Sequence, residues 1–420
     1  MPEKIRLLVV DDSKVFCGII TKVLSKETDL NIVGVVHDGR EALAFIKANR
    51  PDIVTLDVEM PGMNGIATLR SIQQFNAANP NTAPIGVIML SSHTRKGADI
   101  TISALEAGAF DFVTKPHAGG KAENFDMLRN SLATKIRVCA VRNRKFRMSA
   151  TAAAPLQSKE DGASCQPGGL APTICVGDQR VTMATVNAAG TPSPVPLAQA
   201  TPSVTARKPA VFPLPSSFVD KPLPPHRSHV IGAVAIGVST GGPNALGEML
   251  PVLCEKIDQP IFIVQHMPPV FTKSMADHLN KKCRHTVVEA VTGEAVKPLH
   301  AYIAPGGRHM ILRRQGTDVL ITLHDQPPEN GCRPSVDVLF RSVANLYKNS
   351  VTAIVLTGMG FDGMKGAATL KRAGAKILVQ DEATSVVWGM PGSVAMTGNA
   401  DAVLPLMDIP DAVKRTLPER

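Results

Sequence analysis

Two groups of residues in this chain have the types and spacing needed for chemistry. The first lies near the N-terminus. Asp11 and Asp12 follow the apolar run Ile5–Val10, Asp57 follows Asp52–Leu56, Ser91 follows Ile85–Leu90 and Lys115 follows Asp111–Thr114. Three carboxylates gathered at one place repel one another unless a hard divalent cation sits among them. Mg²⁺ prefers such oxygen ligands and can hold a phosphoryl group at the same time. In that arrangement Asp57 is the nucleophile, Lys115 the countercharge and Ser91 a hydroxyl donor to a phosphoryl oxygen. An Asp-Asp pair alone is equally a helix cap; it is the addition of Asp57, Ser91 and Lys115, each after an apolar run, that points to phosphate chemistry.

The second group is in the C-terminal half. Gly237-Val238-Ser239-Thr240-Gly241 follows an apolar run and precedes a helical pattern. Glycines there permit a sharp turn that exposes a serine hydroxyl, and the following helix N-terminus offers unpaired N–H groups to an oxyanion. By itself the segment reads equally well as a phosphate-binding loop, although neither the dinucleotide fingerprint nor the P-loop pattern is present. A nucleophilic serine needs a base, and the base needs an orienting group. His266 directly follows the apolar run Ile261–Gln265, alone among the eleven histidines in lying at the expected ligand edge. Asp362 lies beyond the run Ala353–Leu356, where an Asp beside Gly is otherwise a helix cap. Together the three form an acyl-transfer set. Their order, Ser…His…Asp, differs from that of the α/β-hydrolases, so the Gly-x-Ser-x-Gly match does not argue for that fold.

The elements that must position these residues alternate between strand and helix. Ser13 is placed to cap a helix with an apolar face of Val15, Phe16, Ile19, Ile20, Val23 and Leu24, followed by strands at Asn31–Val36, Asp52–Leu56, Ile85–Leu90 and Asp111–Thr114. That alternation predicts a doubly wound parallel α/β sheet whose ligands sit at the C-terminal strand ends. A second, larger α/β region follows, with strands expected at Val230–Ile236, Ile261–Gln265, Thr286–Glu289, Ala301–Ala304, Met310–Leu312, Val319–Leu323, Ala353–Leu356 and Lys376–Val379. The strand-after-strand segment Ala301–Leu323 predicts a locally mixed sheet. Between the regions, residues 149–226 are rich in Ala, Pro, Ser, Thr and Gly and carry no period, so they read as a flexible linker. The expected division is 1–125, a first domain; 126–227, a helix end and linker; and 228–420, a second domain.

The chain has 420 residues, 44% hydrophobic and 19% charged, as expected of a globular two-domain protein. No apolar run approaches the roughly 18 residues needed to span a bilayer and no secretory leader is evident, so no membrane insertion and a cytoplasmic location are expected. Seven cysteines without a C-x-x-C pair argue against a disulfide framework or a zinc ribbon. The net charge of +9 is dispersed, and one Trp and two Tyr leave little for base stacking, so nucleic acid is not the expected partner.

Residues 1 to about 120 resemble a response-regulator receiver, including the turn Met60-Pro61-Gly62-Met63-Asn64-Gly65. Residues 228–420 resemble the catalytic domain of the chemotaxis protein-glutamate methylesterases at Gly237–Pro243, Val264–Pro268, Ala304–Met310, Arg333–Asp337, Leu356–Gly363 and Gln380–Pro391. The first resemblance implies phosphorylation at Asp57, Mg²⁺ held by Asp11, Asp12, Asp57 and the Glu59 backbone carbonyl, and Ser91, Phe112 and Lys115 as the switch. The second implies Ser239 as nucleophile, His266 as base, Asp362 as orienting carboxylate, Thr240 as a further site residue and the Met359 amide as oxyanion donor, with no cofactor for the esterase. The implied partners are methylated chemoreceptors and a chemotaxis histidine kinase; the implied reactions are methyl-ester hydrolysis and glutamine deamidation. A non-catalytic protein- or DNA-binding output domain is the alternative. Two departures stand out: Cys332 replaces an expected polar residue, and the linker is several times longer than the usual connection.

Overall fold

Six residues suffice for the first strand because they are almost wholly apolar: Ile5–Val10 (β1) is buried along nearly its full length in the computed structural model, which describes residues 4–116, 122–152 and 232–416. Ser13 caps Lys14–Leu24 (α1), its hydroxyl accepting from the Phe16 N–H at 3.3 Å. The buried stripe of α1 is Phe16, Cys17, Ile20 and Leu24, whereas Val15 is 75% exposed. The apolar face is thus rotated away from Val15, because the i, i+4, i+8 row starting at Phe16 is the one that meets the sheet.

Leu30–Val36 (β2), Gly39–Asn49 (α2), Ile53–Asp57 (β3), Gly65–Ala77 (α3), Gly86–Ser91 (β4), Arg95–Glu106 (α4) and Asp111–Thr114 (β5) follow. The strands form a parallel sheet in the order β2-β1-β3-β4-β5. Ala122–Ala152 (α5) closes it, with Leu128, Leu132, Ile136, Cys139 and Ala140 buried in the same core as α1. The expected boundary at 125/126 therefore falls inside one helix, whose apolar residues as far as Ala140 serve the first core. Residues 153–231, most of the expected linker, lie outside the described residues.

The second region is Ala233–Val238 (β6), Gly242–Lys256 (α6), Ile261–Gln265 (β7), Phe271–Asn280 (α7), Thr286–Glu289 (β8), His300–Ile303 (β9), His309–Gln315 (β10), Asp318–His324 (β11), Val336–Tyr347 (α8), Val351–Val355 (β12), Met364–Arg372 (α9), Lys376–Gln380 (β13), Met390–Met396 (α10), Ala402–Leu404 (β14) and Ile409–Arg415 (α11). Seven strands form one sheet in the order β14-β13-β12-β6-β7-β9-β8, and every pair in it is parallel. The mixed sheet expected over Ala301–Leu323 does not form. β10 and β11 pair antiparallel with each other as a separate two-stranded sheet, and only β9 of that segment enters the main sheet. The hairpin instead packs on α8, where Leu312 N–H reaches the Ser342 hydroxyl at 3.2 Å. β14 and the last two helices carry too few residues each for a period to show in sequence. The five cysteines among the described residues are all free thiols.

Candidate active site and its receiver

The strand order β12-β6-β7 explains the second constellation. Ser239 follows β6, His266 follows β7, and Asp362 lies in the loop after β12, so three residues far apart in sequence emerge at adjacent strand ends. Backbone bonds fix the ends: His266 N–H to Val238 O at 3.1 Å and Ser239 N–H to Thr357 O at 3.0 Å. The turn after Ser239 depends on Gly241, whose φ is +81° and where a Cβ would strike Val386 at 2.6 Å. Gly358 is required for closeness, since its Cβ would come within 2.8 Å of the Ser239 Cβ. Met359 follows Gly358 directly, so its backbone is beside the serine.

Asp362 is 2% exposed. Oδ2 accepts from His266 Nε2 at 2.9 Å and from the Val336 N–H at 2.7 Å; Oδ1 accepts from Asn330 Nδ2 and the Ser335 hydroxyl, each at 2.8 Å, and from the Asp337 N–H at 3.2 Å. Burial pushes this carboxyl up, but the His266 bond and the other donors outweigh it and hold it at about 2. An ionised Asp362 keeps a proton on Nε2, so Nδ1 is the nitrogen that acts as acceptor whenever the imidazole is neutral. Burial acts to lower His266, yet Asp362 and Cys332 together raise it to about 9. Cys332 Sγ lies 3.6 Å from Nδ1. His266, Cys332 and Asp362 could be read as a metal trio, but both oxygens of Asp362 are already committed to five donors. The supporting Asn330, Ser335 and α8 N-terminal amides escaped sequence reasoning. Asn330, six residues before α8, is an ordinary loop residue until the fold turns it inward.

The first constellation also assembles at strand ends. Lys115 Nζ lies 2.7 Å from Asp11 Oδ2 and 2.8 Å from Asp57 Oδ2. Burial raises the Asp57 carboxyl to about 6 against the opposing pull of Lys115. Asp11 is likewise raised by burial. One ligand atom from each of Asp11, Asp12 and Asp57 falls within 4.8 Å of the others, and a single lysine does not neutralise three carboxylates, so these residues fit a divalent cation. The Glu59 N–H reaches Asp57 Oδ1 at 3.4 Å, and its side chain pairs with Lys96 at 3.5 Å. Ser91, fully buried, accepts from the Thr101 hydroxyl at 2.7 Å and its own Oγ contacts the Gly97 carbonyl at 3.3 Å.

The two constellations are joined by contacts that the sequence did not suggest. Asp111 Oδ2 accepts from the Thr240 hydroxyl at 2.9 Å and pairs with Lys135 Nζ at 2.5 Å. Next to it, Phe112 stacks on Phe271 of α7 with ring centroids 4.5 Å apart. Arg95 pairs with Asp277 at 3.1 Å, and Glu106 Oε1 accepts from Lys282 Nζ at 2.6 Å and lies 2.6 Å from His278 Nε2. A cavity of about 660 Å³ results, with Asp111, Phe112 and Lys135 on one wall and Ser239, His266 and Cys332 on the other.

Residues 7–123 match the response regulator receiver domain family, and residues 234–413 match the CheB methylesterase family. The chain is 38% identical over 417 residues to a protein-glutamate methylesterase/protein-glutamine glutaminase of Desulfotalea psychrophila, covering 99% of each chain. A protein of the same name from Trichodesmium erythraeum is 38% identical, again with 99% of each covered. Among solved structures, the CheB methylesterase catalytic domain of Thermotoga maritima is 44% identical over 44% of this chain and 99% of its own, with a TM-score of 0.44. A DNA-binding or non-catalytic output domain is not favoured beside these matches. No helix among the described residues is long and apolar enough to cross a membrane. The chain belongs to the protein-glutamate methylesterase/protein-glutamine glutaminase family, chemotaxis response regulators whose output domain is a hydrolase.

Proposed function

We propose that this chain hydrolyses glutamate γ-methyl esters, and deamidates glutamines, on chemoreceptors in the cytoplasm, with Ser239, His266 and Asp362 as its catalytic residues and phosphate on Asp57 as its activator. The observation that carries the reading is the chain of bonds from Asp362 through His266 Nε2, which leaves Nδ1 on the crevice side that Ser239 lines. Ser239 Oγ attacks the ester carbonyl while His266 Nδ1 takes its proton. The Met359 N–H is the proposed oxyanion donor, with Thr240 beside it. The imidazolium, stabilised by Asp362, then protonates the methoxy oxygen as its bond to the carbonyl carbon breaks, so that methanol leaves, or the amide nitrogen where the substrate is glutamine, so that ammonia leaves. Water activated by the same nitrogen releases the glutamate and regenerates Ser239.

Asp11, Asp12, Asp57 and the Glu59 carbonyl would hold Mg²⁺, which when bound screens the charge of an incoming phosphoryl group. Lys115 neutralises Asp57, and Ser91 would turn its hydroxyl from Gly97 to a phosphoryl oxygen. The phosphodonor is a chemotaxis histidine kinase. The domains so read are a receiver that includes α5, a connecting segment, and an esterase from about residue 228. In the docked form the receiver forms one wall of the crevice and Asp111 occupies the Thr240 hydroxyl; release of that wall is the proposed means of activation. Methanol release from methylated receptor membranes tests the assignment. Ser239→Ala should lower it by about 10⁴–10⁶-fold while Asp57 still takes phosphate. A rate within about tenfold of the parent would remove Ser239 from the chemistry.

A further inference from the structure

Cys332 stands on the one nitrogen that the reaction needs free. His266 Nε2 is committed to Asp362, so Nδ1 alone can take a proton from Ser239. Among the described residues, Cys332 Sγ at 3.6 Å is the hydrogen-bond partner of Nδ1, and no hydrogen bond joins Ser239 to His266. The thiol is itself held from behind by the Asn330 carbonyl, 3.7 Å from Sγ, and Asn330 in turn bonds Asp362 and Asp337. Cys332 is therefore tied into the same network that orients the base. It lines the crevice and is partly accessible there.

We propose that Cys332 is a positioning residue that restrains the base, holding Nδ1 of His266 away from Ser239 until substrate displaces the thiol. This rests on the reading of His266 as the general base. When the imidazole is neutral, Nδ1 accepts the thiol's one proton in place of the Asn330 carbonyl; when it is protonated, Nδ1–H donates to sulfur and the thiol keeps its bond to Asn330. Both contacts compete with the Ser239 hydroxyl, and the second favours the charged imidazole, which is inert as a base. Asp362 lies behind His266, and the other titratable or charged groups lining the crevice are Arg333 on the Cys332 loop, His93, and Asp111 paired with Lys135 across the cavity. Replacing the thiol changes none of these.

The test is the pH dependence of methanol release by the full-length protein on methylated receptor membranes. Cys332→Ala removes the contact, and Cys332→Val removes it while keeping most of the volume. Both should move the acidic limb of kcat/KM down by about one pH unit, raising the rate at pH 7 by about tenfold. Phosphorylation of Asp57 should stay unchanged. Limbs that superimpose on the parent's in both variants overturn the inference, as does a faster rate in Cys332→Ala alone with no movement of the limb, which would mark a steric effect. Ser239→Ala run alongside separates the two readings. If it remains active, the assignment of the base falls and this inference with it; if it is inactive and the limbs superimpose, only the role of Cys332 falls.

Discussion

Glu106→Lys should release the receiver from the esterase without touching either set of reacting groups. Glu106 ends α4, and its Oε1 contacts Lys282 Nζ and His278 Nε2 on the far side of the interface, each at 2.6 Å. The three side chains are between 26% and 40% exposed, so solvent screens them, and each pair contributes only about 0.2–1 kcal/mol. Reversal removes both attractions and sets a lysine against Lys282, for a combined change of about 1–2 kcal/mol. As about 1.4 kcal/mol is tenfold, the docked form should lose roughly 5–30-fold against the open one. Unphosphorylated full-length protein would then release methanol faster by up to that factor, with a fragment of residues 226–420 setting the ceiling. The gain should shrink in 1 M salt, where the screening length is about 3 Å. Lys282→Glu added to Glu106→Lys should restore the pair and the low rate. A Glu106→Lys protein no faster than the parent would refute docking as the means of control, and so would a fragment no faster than the unphosphorylated whole.

Other outcomes follow from the same geometry. Asp362→Asn removes the charge that fixes the Nε2 proton and should cost about 10⁴-fold in kcat, the scale found for the equivalent change in serine hydrolases. Its pH–rate limb should also move below the parent's, because Asp362 helps raise His266; a limb that stays in place would show that the carboxylate does not govern the base. Asp57→Asn should block Mg²⁺-dependent phosphotransfer, and uptake of phosphoryl label at the parent's rate would place the phosphate elsewhere. Burial raises Asp57 to about 6, so between its ordinary value of 3.8 and pH 6 the folded state keeps a proton that the unfolded chain has lost. The receiver therefore loses stability as pH rises through that window. Mg²⁺, which binds the ionised carboxylate, should raise the melting temperature more at pH 7.5 than at pH 5; equal gains at the two values would contradict the metal assignment.

Read from sequence, the strand ends were the informative positions. Asp11, Asp12, Asp57, Ser91 and Lys115 each follow an apolar run, and a parallel sheet must bring such ends together, so their convergence follows from local pattern alone. The same logic found Ser239, His266 and Asp362, and strands β5, β7 and β8 have the limits that their residues predict. Whether Ala301–Leu323 joined the main sheet was not legible, because a run of alternating residues pairs equally well with any edge and only the packing of the hairpin on α8 decides. The outer contacts of the site were hidden for a related reason. Asn330, Ser335 and the α8 amides matter only because a loop and a helix N-terminus are folded onto Asp362, and Cys332 only because that loop lays it against Nδ1. Asp111 on Thr240 and Phe112 on Phe271 depend on two surfaces meeting. Local sequence fixes period, caps and strand ends through short-range sterics and burial; the placement of one packed surface on another is a sum of many distant contacts, and it is settled only by the tertiary structure.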